Sequence, residues 1–375
     1  LGEHRRDVKM EPSVPPRVSA GGPMHDDLPP LPAHGATLFG GLRLEAYSLD
    51  LPERDGAGEG QAGDCASHKA FDTILAGWRE RLQRTGAERV LGAGTLQPLD
   101  DALACGAPEA GGLVQGAIED YARVLADVVR CFLALPAWQG TQRVLVGGGL
   151  RAARIGEVAV GRAAVLLRAE GLPLRLAPIR HDPEEAGLIG AARLLPGALL
   201  GQSDAVLAAD LGGNSFRAGV VLPRLGVAPD LAAAGIWRRQ SWHHAAEQET
   251  DRAVAVGRLA GMLGDLAGEA AAAGLSLAPV VAVGLPGRIG ADGRILGGAQ
   301  NLPGDWQAED FHLPSALSRL LPLAGGGHPA VLLHNDAVAQ GLSEAPYLRN
   351  IVHWGVLTVG TGLGNARFSN LPMRS

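Results

Sequence analysis

Cysteine and lysine are both scarce in this chain. The three cysteines, Cys65, Cys105 and Cys131, lie far apart and form no Cys-x-x-Cys pair. This arrangement disfavours a disulfide framework and a cysteine-rich zinc site, and it is typical of a protein in a reducing cytoplasm. Almost all of the positive charge is arginine, since lysine occurs only at Lys9 and Lys69. We attribute this bias to the base composition of the source rather than to function.

Long hydrophobic runs and an excess of positive charge are missing as well. No stretch of about 18 uncharged apolar residues predicts a transmembrane helix. The first residues, 1–16, carry charges without the apolar segment of a secretory signal. A formal net charge of -6 gives no basic footprint for nucleic acid. With 46% hydrophobic and 19% charged residues, the composition is typical of a soluble globular protein. We therefore predict a cytoplasmic protein without nucleic-acid or membrane partners.

The patterning along the chain predicts an α/β protein. Residues 1–35 are rich in proline, glycine and charge, which predicts a mobile leader. Residues 36–51 alternate apolar and polar side chains, which predicts a hairpin. Beyond them, strand patterns alternate with helical ones, as in α/β folds. The predicted helices cover residues 71–82, 110–135, 156–170, 183–195 and 249–274, and the predicted strand segments include 143–149, 174–179, 205–222, 280–287, 330–342 (running into a helix) and 354–368.

Two glycine-rich turns are the first features that suggest chemistry. The sequence has no GxxxxGK[ST] loop and no protein-kinase HRD or DFG motif. Instead, turns at 210–217 and 360–364 are each flanked by apolar strands on both sides. Glycine lets backbone N–H groups converge on an anion and lets the anion approach without a Cβ in the way. A phosphate site and a tight structural hairpin both remain open for either turn alone.

Three polar residues at the ends of apolar strands add to this pattern. Asp210 closes an apolar strand, where a carboxylate is costly unless it meets a cation or donors. A magnesium ion that carries nucleotide phosphates meets that need, although a turn-capping role is also open. Asn335 and Asp336 follow the strand AVLLH, and ligand sites of α/β folds collect at such ends. A carboxylate there can accept a proton from a substrate hydroxyl, and helix capping can coexist with that role.

Four segments in order resemble the ROK family of glucokinase-like sugar kinases. Residues 206–221 resemble the first phosphate motif, and 283–306 are similar to the signature with Gly-x-Pro-Gly and Asn-Leu-Pro-Gly-x-Trp. Residues 332–344 resemble the strand with the catalytic Asn-Asp pair, and 357–368 the second phosphate motif. The resemblance implies a two-lobed actin-like ATPase (ribonuclease H-like) fold. It also implies transfer of the γ-phosphate of ATP, with Mg²⁺, to a hydroxyl of a hexose or amino sugar.

The first half of the chain resembles the other end of the same family. Residues 143–150 are similar to the strand and glycine turn that hold adenosine, and 181–195 resemble the closing helix. In the family these segments come last, so their order here predicts a circular permutation; a truncated tandem is the alternative. We therefore divide the chain into a leader over 1–35, a lobe over 36–200 that resembles the adenosine-binding half, and a lobe over 201–375 with both phosphate motifs and the sugar site.

The resemblance also implies roles for individual residues. Asp336 would be the general base, and Asp210 would hold magnesium through water. The implied sugar-binding residues are Asn335, Asn301, Glu59 and His68. The implied nucleotide- and phosphate-binding residues are Asp210, Gly212, Gly213, Asn214, Arg217, Gly360, Thr361, Gly362, Gly148 and Gly149.

Departures from the family pattern leave a second reading open. Asn214 stands where the family has threonine, and Glu59 and His68 replace the Glu-x-Gly-His sugar clamp with different spacing. The family's cysteine-rich zinc motif is absent. The absent zinc motif means that structural zinc is not implied, whereas Asn214 and the missing clamp favour a catalytically impaired sugar-binding or regulatory protein as the alternative. Residues 1–35 are too proline-rich for the helix-turn-helix of the family's repressors. We expect a small-molecule sugar as partner and leave homodimer formation open.

One histidine pair suggests a metal site at first sight. His243 and His244 follow Trp242 directly. Because no third ligand occurs at a suitable spacing, we interpret the pair as part of a surface loop rather than as metal ligands.

Overall fold

The computed structural model describes residues 30–51, 66–84, 96–105, 107–149, 153–322 and 327–372. Most of the predicted leader, and Glu59, therefore lie outside the described residues. The described chain is mixed α/β, with one six-stranded sheet, one five-stranded sheet and a two-stranded hairpin. The predicted α/β class is thus confirmed.

The first sheet joins strands from both ends of the described chain. Its order is β1-β2-β13-β12-β3-β4. The pairs from β1 to β12 are antiparallel, and β12, β3 and β4 run parallel. Its strands are β1 (Leu38–Phe39), β2 (Leu42–Tyr47), β3 (Arg143–Gly147), β4 (Arg175–Pro178), β12 (His353–Val359) and β13 (Leu363–Asn370).

The second sheet repeats this pattern with strands that follow one another along the chain. Its order is β11-β8-β5-β6-β7, with β5, β8 and β11 parallel and β5, β6 and β7 antiparallel. Without β1, both sheets therefore consist of an antiparallel meander followed by two parallel strands. The strands are β5 (Ala205–Leu211), β6 (Phe216–Leu222), β7 (Gly235–Trp242), β8 (Leu277–Leu285) and β11 (Ala330–Asn335), and the separate hairpin is β9 (Arg288–Ile289) and β10 (Ile295–Gly297).

Four of the helices begin at a residue whose side chain accepts a hydrogen bond from a free N–H group. Asp182 accepts a hydrogen bond from the Glu184 N–H, with Pro183 in the first helical position. Asp251 caps α7 in the same way. No helix of the described residues combines the length and hydrophobicity that a membrane crossing needs. The helices are α1 (His68–Arg84), α2 (Leu96–Cys105), α3 (Pro108–Ala134), α4 (Arg154–Ala169), α5 (Pro183–Ala192), α6 (Gly197–Leu200), α7 (Arg252–Ala272), α8 (Leu313–Leu320) and α9 (Asp336–Glu344).

Helices α5 and α9 each follow a strand of one sheet and pack on the other sheet. Helix α5 follows β4 of the first sheet but packs on the second, where Leu188 lies against Gly219 of β6. Helix α9 follows β11 of the second sheet but packs on the first, where Gly341 lies against Phe368 of β13. The two helices cross at Gly190, where an added Cβ would overlap the Ala339 carbonyl. This crossing lies in a core shared by both sheets, while two further cores lie on their outer faces.

An early strand and the last strand of the described chain pair in the first sheet. Strand β2 pairs with β13, and the Leu371 N–H donates to the Gly41 carbonyl at 2.8 Å. Residues 42–47 therefore continue the sheet to which residues 353–370 belong. Sheet membership does not follow a boundary at residue 200, because β12 and β13 belong to the first sheet. The division into two lobes stays a prediction.

Candidate active site

A cavity of about 720 Å³ brings twelve of the predicted site residues together from both sheets, and the predicted Gly213 is not among the residues that line it. Its walls include both glycine turns and the ends of β3, β5 and β11. The predicted residues that line it are Gly148, Gly149, Asp210, Gly212, Asn214, Arg217, Asn301, Asn335, Asp336, Gly360, Thr361 and Gly362.

The first glycine turn joins β5 to β6 and touches the second directly. A Cβ built on Gly213 would lie 2.9 Å from the Thr361 Oγ1 and 3.0 Å from the Asn301 Cβ. Only glycine therefore allows this approach. The Gly212 N–H already donates to the Ser215 carbonyl at 2.9 Å, so Gly212 shapes the turn. The N–H groups of Gly213 and Asn214 are the donors that remain for an anion.

The second glycine turn joins β12 to β13 and has a similar division of roles. The Gly360 N–H donates to the Gly362 carbonyl at 2.9 Å, and the Gly360 carbonyl accepts from the His68 N–H at 3.0 Å. The N–H groups of Thr361 and Gly362 form no hydrogen bond with another described residue. The neighbouring turn at Gly148 has φ +87°, and a Cβ there would overlap the backbone of β12. The turns after β3 and β12 are thus in direct contact.

Asp210 is a buried carboxylate at the end of β5. It is 4% exposed, and its closest charged partner is the Arg217 guanidinium, with Nη1 3.4 Å from Oδ2. Burial raises the pKa of Asp210, and Arg217 opposes that shift. A Cβ on Gly187 of α5 would lie 2.5 Å from the Asp210 carboxyl carbon. Helix α5 therefore closes one side of this carboxylate.

Asp336 begins α9 on the other side of β8. Its Oδ1 accepts a hydrogen bond from the Ala337 N–H at 2.8 Å. Burial and the charge of Asp210 together raise the pKa of Asp336 to about 7, with burial the larger cause. A Cβ on Gly284 would lie 3.7 Å from both the Asp210 Oδ1 and the Asp336 Cα. The absence of a side chain at Gly284 thus leaves open space between the two carboxylates.

Asn335 holds the end of β11 in place. Its Oδ1 accepts from the N–H groups of Ala337 and Val338, at 3.0 and 3.2 Å, and so caps α9. Its Nδ2 donates to the Gly287 carbonyl at 3.0 Å. Asn335 is 2% exposed. It therefore fixes both Asp336 and the Gly287 turn, and its predicted contact with a sugar would add to these bonds.

His68 lies at the back of the second turn rather than in the cavity. It begins α1, and its Nδ1 lies 3.2 Å from the Asp72 Oδ2. It is not among the residues that line the cavity. The predicted partner Glu59 lies outside the described residues, so the clamp as a whole stays a prediction.

His244 is not a surface side chain, contrary to the sequence prediction. It is 3% exposed and packs against the rings of Phe216 and Trp242. Its Nε2 lies 2.9 Å from the Gly212 carbonyl, so it supports the first glycine turn from behind. The segment around Trp242 gives no signal for this role, because Gly212 lies 32 residues away from His244 along the chain.

The donors of the site fit magnesium and nucleotide phosphates. Mg²⁺ is bound by oxygen ligands, through one or two carboxylates together with phosphates and water. Asp210 offers a buried carboxylate, and the two turns offer backbone donors. Within the described ranges, no cluster of three or more His, Cys, Asp or Glu side chains forms a protein-only metal cage. The arrangement therefore fits a cation held jointly by Asp210 and a bound phosphate group.

Comparisons with known proteins give a partial likeness. No protein-family model and no curated protein sequence matches this chain. A structure described as a proposed N-acetylmannosamine kinase from Listeria monocytogenes is 26% identical, with a TM-score of 0.31, over 44% of this chain and 47% of that one. A proposed sugar kinase from Cytophaga hutchinsonii is 18% identical, also with a TM-score of 0.31, over 44% and 48%. The matches thus span about half of each relative, and they identify neither the reaction nor the substrate.

Proposed function

We propose that this protein is an ATP-dependent sugar kinase that transfers the γ-phosphate to a hydroxyl of a hexose or amino sugar. One observation carries the proposal. The carboxylate of Asp336 lines the same cavity as two touching glycine turns with free backbone donors. A base beside an anion-binding cradle is the arrangement that phosphoryl transfer to a hydroxyl requires.

Each residue of the cavity then has a separable task. The N–H groups of Gly213 and Thr361 would bind phosphate oxygens, and Asp210 would hold magnesium through water. Bound magnesium would neutralise phosphate charge. Asp336 would accept the proton of the attacking hydroxyl, and its pKa of about 7 makes it a suitable base near neutral pH. Asn301, on the wall of the cavity beside Gly213, would orient the sugar.

A catalytically impaired sugar-binding protein is the competing proposal. It is favoured by His68, which pairs with Asp72 outside the cavity, and by Asn335, whose amide atoms are both engaged in structural bonds. Such a protein would bind nucleotide and sugar without releasing ADP.

We further propose that the chain is a circular permutant of the ROK arrangement. The support is that β2 pairs with β13 and so continues the sheet of β12 and β13. Without β1, the two sheets then have the same pattern of parallel and antiparallel strands. The resemblance of residues 143–150 and 181–195 to the family's closing segments agrees with this order.

The decisive experiment measures ADP release from Mg-ATP with a panel of hexoses and amino sugars. The wild type should release ADP with at least one sugar. Asp336→Asn should lower that rate by about 10²–10⁴-fold, because the variant keeps the shape and loses the base. Asp292→Asn, at an exposed hairpin position, is the matched control and should act as the wild type. Sugar binding without ADP release in the wild type would support the impaired protein instead.

A further inference from the structure

Gln340 is a buried polar side chain without a partner in the wall of the cavity. It lies in α9, one turn after Asp336, and is 7% exposed. Its Oε1 is fully enclosed and has no hydrogen-bond partner among the described residues. Residues four apart share one face of a helix, so Gln340 and Asp336 face the cavity together.

The enclosed amide oxygen of Gln340 destabilises the folded protein. A buried carbonyl oxygen without a donor destabilises the folded protein, and an apolar side chain of the same shape avoids that cost. The neighbours of Gln340 in α9, Ala339 and Gly341, are apolar and closely packed. Packing alone therefore does not account for glutamine at this position, and a ligand that uses the amide does.

The sheet below α9 fixes where the amide points. Gly364, Thr358 and Gly147 form one row across β13, β12 and β3. A Cβ on Gly364 would lie 3.7 Å from the Asp336 Oδ1, and a Cβ on Gly147 would lie 2.5 Å from the Gln340 Oε1. Because Oε1 is closed off against Gly147, the amide nitrogen is the polar atom of Gln340 that remains for the cavity.

The position of Gln340 between the Gly148 turn and Asp336 indicates which chemical group it would bind. Gln340 lies beside Gly147, directly before the turn at Gly148, and one helical turn, about 5.4 Å along the axis, from the proposed base. An N–H donor at this place suits an anion that extends from the Gly148 turn toward Asp336. The phosphate chain of a nucleoside triphosphate has that charge and extent.

We propose that the Gln340 amide binds the nucleotide by donating a hydrogen bond from Nε2 to a phosphate oxygen. The inference rests on the proposed function, since it takes the phosphate chain of that same site as its ligand. It makes Gln340 a binding residue that none of the sequence motifs identifies.

The test compares Gln340→Met and Gln340→Glu with the wild type by calorimetric titration. The probes are magnesium with a non-hydrolysable ATP analogue, and adenosine, which lacks phosphates. Gln340→Met should weaken analogue binding about tenfold or more, the value of a hydrogen bond to a charged group. Gln340→Glu should weaken it further, because a carboxylate would face the phosphates. Adenosine binding should not change. Gln202→Met, at an exposed turn, is the matched control.

Urea unfolding of the nucleotide-free proteins separates binding from structure. Gln340→Met should be as stable as the wild type or more stable, because it removes the enclosed carbonyl. Unchanged analogue affinity in both variants, or an equal loss for adenosine, would overturn the role of Gln340 while the proposed function stands. Failure of the wild type to bind the analogue would overturn both. If Gln340→Met does not fold, the isosteric Gln340→Glu decides by the same two titrations.

Discussion

At the scale of single residues, Asp336 determines how the reaction should respond to pH. Its pKa is raised to about 7 by burial and by the charge of Asp210. A general base must be ionised to accept a proton. We therefore expect kcat/KM to rise with pH up to about 7 and to level off above it. A pH-rate profile with the best sugar checks this, and a profile flat between pH 5 and 8 would contradict Asp336 as the base.

The same carboxyl should make stability fall as pH rises. Its pKa is about 7 in the folded protein and 3.8 as an ordinary carboxyl, so between these values the unfolded chain releases its proton first. The unfolded state then binds fewer protons, and the free energy of unfolding decreases with pH across this window. Urea unfolding at pH 5 and pH 8 should show a larger decrease for the wild type than for Asp336→Asn. Equal decreases would show that a group other than Asp336 has the raised pKa.

Asp210 should couple the fold to magnesium and nucleotide. Mg-ATP at a hundredfold excess over its dissociation constant should stabilise the wild type by about 2.7 kcal/mol. Asp210→Ala should reduce that gain and leave the nucleotide-free protein folded, because it removes a buried carboxylate whose nearest charged partner is only partly buried. Thermal melts of both proteins with and without Mg-ATP measure this. A less stable nucleotide-free variant with a normal Mg-ATP response would show that Asp210 acts as a turn cap instead.

At the scale of secondary-structure elements, the crossing of α5 and α9 depends on Gly190. A Cβ there would overlap the Ala339 carbonyl, and overpacking costs about 1–3 kcal/mol or more. We expect Gly190→Ala to lower the free energy of unfolding by about 3 kcal/mol. Gly261→Ala, in an exposed position of α7 with open space around it, should instead raise it by about 0.5–1 kcal/mol. Chemical denaturation measures both, and equal effects would contradict the close crossing.

Strong periodic patterns predicted most elements well. The helix predicted over 110–135 is Pro108–Ala134 in the structure, and the one predicted over 249–274 is Arg252–Ala272. Strand β7 and helix α8 were not predicted. Strand β7 is an edge strand whose side chains are largely exposed or half-buried, so it lacks a clear apolar alternation. Helix α8 has only eight residues, which is too short for a helical period to stand out.

Site residues that belong to a sequence motif could be predicted, whereas those that act only through packing contacts could not. Asp210 and Asp336 follow apolar strands within recognisable motifs, and both line the cavity. His244 and Gln340 act through contacts with Gly212 and Gly147, which are distant in sequence. Only the folded structure brings such pairs together, so the pattern of a single segment does not reveal them.

At the scale of the whole molecule, the pairing of β2 with β13 permits a rearranged chain. A variant that runs from residue 202 to 372, then through a Gly/Ser linker of about ten residues, and then from 30 to 201 keeps every described strand. The new opening lies in the exposed turn at Gly201 and Gln202. We expect it to fold and to keep the Mg-ATP response of the wild type. Thermal melts and circular dichroism check this, and an unfolded variant would argue against the permutation.

The pairing of β2 with β13 also sets the order in which the protein can fold during translation. Strands β5 to β11 emerge from the ribosome consecutively and need no distant segment to complete the second sheet. Strands β3 and β4 are synthesised earlier but must wait for β12, so β3 keeps an unpaired edge throughout most of synthesis. Unpaired strand edges promote aggregation. The nascent chain should therefore depend on chaperones until residues 353–370 are released, and the contact between the two glycine turns should be the last part of the cavity to form.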